Sequence, residues 1–151
     1  MIVGACRSGS RLRPDEEGTA VSETAPPDGG VYEWFQRGLQ LLRDGHPAAA
    51  ATLLSRAAEG EPHSRSILEA LARAQYDAGR YQEAVISFTA LTAVSPTDDY
   101  AHFGLGLAAS RAGELRLAAE HLALAVAMRP DVGHYSRALR GVRARRAADP
   151  A

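Results

Sequence analysis

Five histidines, at 46, 63, 102, 121 and 134, and a single cysteine, Cys6, are the side chains of this sequence best suited to ligating a metal. Two imidazoles share one helical face when three or four residues separate them, and no two of these histidines have that spacing. His46 and His63 fall in turns, and His102 is expected to pack between successive helical units. A lone cysteine excludes an internal disulfide framework and a cysteine-based zinc site. Nucleophilic catalysis needs a hydroxyl or thiol converging with a base, but the serines and threonines are scattered without such a partner. The stretch "FGLGLA" at 103–108 contains the Gly-x-Gly of phosphate-cradling loops. Those loops follow a strand, whereas this stretch reads as the inside of a helix. Gly106 is explained there by helix packing; Gly104 is not, and it leaves open either room for a ligand backbone or a tolerated defect. The expectation is a protein that is not an enzyme and takes no metal or cofactor.

The 151-residue chain is 46% hydrophobic, enough for the core of one domain. Its formal net charge is −1, which gives no global reason to expect nucleic acid. All 17 basic residues are Arg. No apolar run approaches the about 20 residues of a membrane helix. "VGAC" at 3–6 is similar to the lipidation box of bacterial lipoproteins, but only Met1 and Ile2 precede it, too little for a signal segment. A cytoplasmic location is expected, the alternative being a lipid anchor at Cys6 if the start of the chain is truncated.

Residues 1–30 are rich in Gly, Ser, Pro and charge and are expected to form a disordered arm. From Val31 apolar residues recur at helical spacing. Gly45, Gly79 and Gly113 are spaced 34 residues apart, as are Ala50, Ala84 and Ala118, and Pro62, Pro96 and Pro130. Gly38, Ala72 and Gly106, and likewise Leu54, Phe88 and Leu122, keep the same interval. Each unit therefore reads as a helical hairpin. Its Gly ends the first helix in a left-handed conformation, Pro47 fits a first helical turn, and the later Pro stops the second helix. Small residues on both helices permit close approach.

This period and these residues resemble the tetratricopeptide repeat. Trp34, Gly38, Leu41, Gly45, Ala50, Leu54, Ala57 and Pro62 carry the resemblance in the first unit. Leu68, Leu71, Ala72, Gly79, Tyr81, Ala84, Phe88 and Pro96 carry it in the second. Leu105, Gly106, Gly113, Ala118, Leu122, Ala125 and Pro130 carry it in the third. The resemblance implies an all-α, right-handed α-α superhelix with repeats at 31–64, 65–98 and 99–132, followed by a capping helix and short tail at 133–151, seven helices in all. Tyr135, Leu139 and Val142 fall on one face of that last helix, matching the cap a solenoid end needs. Arg37 replaces the Leu71/Leu105 column and Gly60 the Val94/Met128 column, so the first repeat is expected to fray most readily.

The resemblance further implies that the first helices of the hairpins line a concave groove for a protein or peptide partner. The residues expected there are Tyr32, Phe35, Leu39 and Arg43 in the first unit, Arg73 and Tyr76 in the second, and Tyr100, Phe103 and Arg111 in the third. Aromatics and Arg are common interface anchors. The alternative is that several of them fill gaps between hairpins. The Lys and Asn with which some family members hold chaperone tails are absent, since Phe35, Leu39, Ala70, Tyr100 and Gly104 stand at those positions. Homo-oligomerisation through the same stripe is a second possibility. A third is that Arg137, Arg140, Arg143, Arg145 and Arg146 contact phosphates or an anionic membrane surface, although cations near a helix C-terminus are also favoured by its dipole.

Overall fold

The computed structural model describes residues 30–149; the expectations for the N-terminal arm and for Cys6 lie outside the described residues. Among the described residues seven helices follow one another: α1 (Gly30–Arg43), α2 (Pro47–Gly60), α3 (Arg65–Asp77), α4 (Tyr81–Val94), α5 (Asp99–Arg111), α6 (Leu115–Met128) and α7 (Gly133–Ala148). They form three hairpins, α1–α2, α3–α4 and α5–α6, stacked in a right-handed superhelix with α7 packed on the last. There is no strand among the described residues.

The turns have one local cause. Gly45, Gly79 and Gly113 have φ of +83°, +79° and +87°. That left-handed step carries the next amide back over the helix end, so His46, Arg80 and Glu114 donate to the carbonyls of Leu41, Gln75 and Ala109, each at 2.8 Å. Carbonyls that the helix leaves without partners are thereby satisfied. Ser64 and Asp98 cap α3 and α5 from the other side, accepting from the amides of Ile67 and Ala101.

The core runs the length of the stack in three clusters, each joining the second helix of one hairpin to the element that follows. Ala50, Ala51 and Leu54 meet Ala70, Leu71 and Ala74. Phe88 and Leu91 meet Ala101, Leu105 and Ala108. Ala118 and Leu122 meet Leu139 and Val142 of α7. Leu54, Leu91, Leu105 and Leu122 are fully buried, each contributing about 1.5–3 kcal/mol relative to exposure. Polar ties reinforce the joints: Arg65 pairs with Asp98 at 2.8 Å, the Tyr135 hydroxyl donates to Asp99 at 2.6 Å, and Arg145 donates to Ser110 Oγ at 2.7 Å.

Both irregularities of the first repeat follow from its position. Leu71 occupies a column that faces the preceding hairpin; among the described residues no hairpin precedes α1, and Arg37 is exposed there. A Cβ on Gly60 would lie 2.5 Å from Val31 Cγ2, so the missing side chain makes room for Val31 in the first turn of α1.

Candidate functional site

Helical periodicity brings Arg73, Tyr76 and Asp77 to one face of α3, and Tyr100, Phe103, Gly104 and Leu107 to the facing side of α5. Between them is a hollow of about 220 Å³, floored by Phe88 of α4. Phe88 is 2% exposed, and its ring lies directly under Gly104: a Cβ there would fall 2.3 Å from Phe88 Cε1. The mid-helix glycine thus accommodates a neighbouring ring. Leu54 and Leu122, the residues equivalent to Phe88, instead lie against Gly38 and Gly106 of their own hairpins.

The hollow is apolar inside and charged at its edge. Arg73 and Asp77 are exposed, and Tyr100 keeps 38% of its surface open to solvent. Burial pushes the Tyr100 phenol above its ordinary range, opposed by the Arg73 guanidinium and assisted by Glu69, Asp77 and Asp98. The Arg111 guanidinium lies 4.9 Å from the Tyr81 ring centroid and 5.9 Å from that of Tyr76, and the two tyrosines meet edge to face at 5.3 Å. Cation–π attraction holds Arg111 beside the hollow. Phe103 stacks on Tyr135 at 4.5 Å and meets His134 edge-on at 5.2 Å, so its far side is fixed by α7.

Of the nine residues that the sequence singles out, Arg73, Tyr76, Tyr100 and Phe103 converge on this hollow, with Arg111 adjoining through Tyr76. The four on α1 lie apart from it. Phe35 and Leu39 are half-buried against the cluster joining the first two hairpins. Tyr32 is 68% exposed, and Arg43 donates to Gln40 at 2.7 Å. Tyr76 also packs on the second core cluster, so it is part of the scaffold as well as the surface. Phe88 and Gly104 complete the hollow without having been grouped with it in the sequence; their link is a larger side chain in one column facing a missing one in another.

The Arg-rich end of α7 does not form a one-sign surface. The cleft of about 950 Å³ between α6 and α7 is lined by Arg116, Arg143 and Arg146, but also by Glu114, Glu120 and Asp149. Among the described residues no cluster of three or more His, Cys, Asp or Glu could hold a metal ion. His102 packs at the joint between repeats, its Nε2 2.9 Å from the Pro96 carbonyl of the preceding one, and it also meets His121 of its own hairpin, Nδ1 to Nδ1 at 3.0 Å. The 19-residue separation hides that pair from any test of helical-face spacing.

The sequence pattern of the tetratricopeptide repeat matches residues 35–99 and 70–133. The chain belongs to the tetratricopeptide-repeat family. Superkiller complex protein 3 of Mus musculus is 27% identical over 124 residues, which are 82% of this chain and 8% of that protein, so the chain spans only a small part of this relative. Among solved structures, MamA from Desulfovibrio magneticus RS-1 superposes with a TM-score of 0.74 at 22% identity, covering 79% of this chain and 67% of that one. The first repeat domain of Spaghetti (RPAP3), bound to an HSP90 peptide, gives 0.72 at 14% identity over 81% and 97%. The secretion chaperone SycD of Yersinia enterocolitica, in complex with a peptide of the translocator YopD, gives 0.69 at 13% identity over 80% and 97%. At these identities the likeness establishes the fold.

Proposed function

We propose that this protein is a non-catalytic interaction module, a cytoplasmic scaffold that holds a segment of a partner protein along the face formed by α1, α3 and α5. The hollow between α3 and α5 carries this reading. An aromatic-walled recess with Arg73 and Asp77 at its edge suits one bulky apolar side chain of a bound segment, with polar contacts beside it. The peptide complexes of the RPAP3 and SycD domains support use of the fold in this way. The mixed charges of the α6–α7 cleft weigh against a phosphate-tracking role for α7, which would need a surplus of arginine. No helix among the described residues is long and apolar enough to cross a membrane.

A photo-crosslinking residue at Tyr100, with the same residue at the exposed Ile86 of α4 as control, tests the reading in lysate of the source cell. Position 100 is expected to capture a discrete protein segment that position 86 does not. A synthetic peptide of that segment should then bind the wild type about tenfold more tightly than Arg73→Ala, a difference of about 1.4 kcal/mol. Equal capture at both positions, or a peptide indifferent to Arg73→Ala, overturns the proposal.

A further inference from the structure

The His102–His121 contact has more order than two adjacent imidazoles require. His102 is 7% exposed, and its Nε2 lies 2.9 Å from the Pro96 carbonyl, in the turn between α4 and α5. A carbonyl only accepts, so Nε2 carries the proton and, in the neutral ring, Nδ1 is left as an acceptor. His121 must then donate from its own Nδ1 across the 3.0 Å gap. The ring centroids are 5.2 Å apart with planes within 11°. The separation exceeds the nitrogen gap by about the width of one ring, so the rings meet edge to edge, as a linear N–H···N bond requires. One chain of donors thus runs from α6 through α5 to the Pro96 turn.

We propose that His102 and His121 form a proton-sensitive latch, which clamps the third hairpin to the Pro96 turn while both rings are neutral and releases it on acidification. A first proton can enter at His121 Nε2, leaving the linear bond intact but placing a charge in a half-buried site. The paired geometry has no room for a second: His102 Nδ1, the remaining acceptor, faces the His121 Nδ1–H, and a donor placed there would drive the rings apart. The charged groups around the pair do little to offset this. Glu120, beside His121 on α6, is the carboxylate that favours a charged imidazole. Asp98 is engaged by Arg65 and by the Ala101 amide, and Asp99 by Tyr135. The last turns of α4, from Thr89 to Val94, carry no ionisable side chain, and the arginines of α7 are exposed. Burial first, and His102 second, hold the His121 pKa below its ordinary value of 6.5, with Glu120 opposing. The unfolded chain therefore binds more protons below about pH 6.5. The stability supplied by neutral His121 is present above that pH and is lost as pH falls through its lower folded value. The hairpin that loosens is the one carrying Tyr100 and Phe103.

The test combines thermal melts at pH 7.5 and 5.0 with long-range ¹H–¹⁵N imidazole spectra of the wild-type chain. His121→Gln keeps a donor toward His102 but does not titrate. The wild-type midpoint is expected to fall roughly twice as far as that of the variant on acidification. At pH 7.5 the spectra should show His102 as the Nε2–H tautomer and His121 as the Nδ1–H tautomer. Parallel pH profiles for the two proteins overturn the latch. So does a wild-type spectrum with His121 protonated at Nε2 instead, a result that stands even if His121→Gln fails to fold.

Discussion

Replacing Gly104 by Ala sets two effects of similar size against each other. Alanine in a helix interior is favoured over glycine by about 1 kcal/mol, so an open site would gain stability. Gly104 is not open: the added methyl would fall 2.3, 2.5 and 2.9 Å from Cε1, Cζ and Cδ1 of Phe88. That ring is almost wholly buried and cannot swing into solvent. Overpacking of this kind costs about 1–3 kcal/mol, so the expected net result is a loss of about 1 kcal/mol, or roughly 4 °C in a domain of this size. The first pair of hairpins supplies the control. There Ala70 stands in the Gly104 column and Leu54 in the Phe88 column, within one fully packed cluster. Introducing Phe88→Leu therefore removes the obstruction, and in that background Gly104→Ala should become neutral or stabilising. Urea denaturation of the wild type, both single variants and the double variant gives the coupling directly. A value near 2 kcal/mol, favouring the double variant, is expected. Additive losses, or a Gly104→Ala single variant more stable than wild type, would refute the packing account of this glycine.

Gly79→Ala isolates backbone strain, because nothing lies within 4 Å of the new Cβ while φ is +79°; a loss of about 1–2 kcal/mol in urea denaturation is expected. Tyr135→Phe removes the hydroxyl that donates to Asp99 at 2.6 Å and joins α7 to α5; melts should show a cost of about 1–2 kcal/mol. Burial, followed by the Asp99 carboxylate, raises the Tyr135 phenol far above its ordinary range. Its contribution is complete below the unfolded value of about 10 and is lost as pH rises toward the folded one. Alkaline melts should therefore fall more steeply for wild type than for Tyr135→Phe, and the latest step of the wild-type tyrosinate absorbance titration should be missing from the variant.

The hairpins were legible because their causes are local and recur. A glycine that must take positive φ, a proline that must end a helix and a small residue at a helix crossing each leave the same mark every 34 residues. The site was legible only in part. Given the groove that the family resemblance implies, spacing identifies which residues of α3 and α5 share that face, hence Arg73, Tyr76, Tyr100 and Phe103. It does not register what lies beneath that face, and Phe88 reaches the hollow only because Gly104, in a different helix, lacks a side chain. Phe35 and Leu39 follow the same stripe on α1 yet pack against the neighbouring hairpin. The His102–His121 bond escaped for a similar reason: its partners occupy columns filled elsewhere by Trp34 and Leu68, and by Leu53 and Ser87, so each looks like an isolated exception.

The two ends of the stack constrain how copies of this chain could associate. Solenoids extend head to tail when a terminal repeat leaves its apolar side uncovered. Here α1 turns Glu33, Gln36, Arg37 and Gln40 outward, and α7 exposes Arg137, Arg140 and Arg143 while burying Tyr135, Leu139 and Val142. Among the described residues these two faces are mainly polar, with Tyr32 the exposed aromatic of α1, which disfavours head-to-tail stacking through them. Self-association is expected to use the face that carries Tyr100 and the hollow, and would then compete with a bound segment. Sedimentation velocity separates the cases. Any dimer should weaken in Tyr100→Ala and dissociate when the peptide recovered by crosslinking is added. A dimer indifferent to both would place the contact on the second-helix side, where Ile86 and Leu124 are the exposed apolar residues.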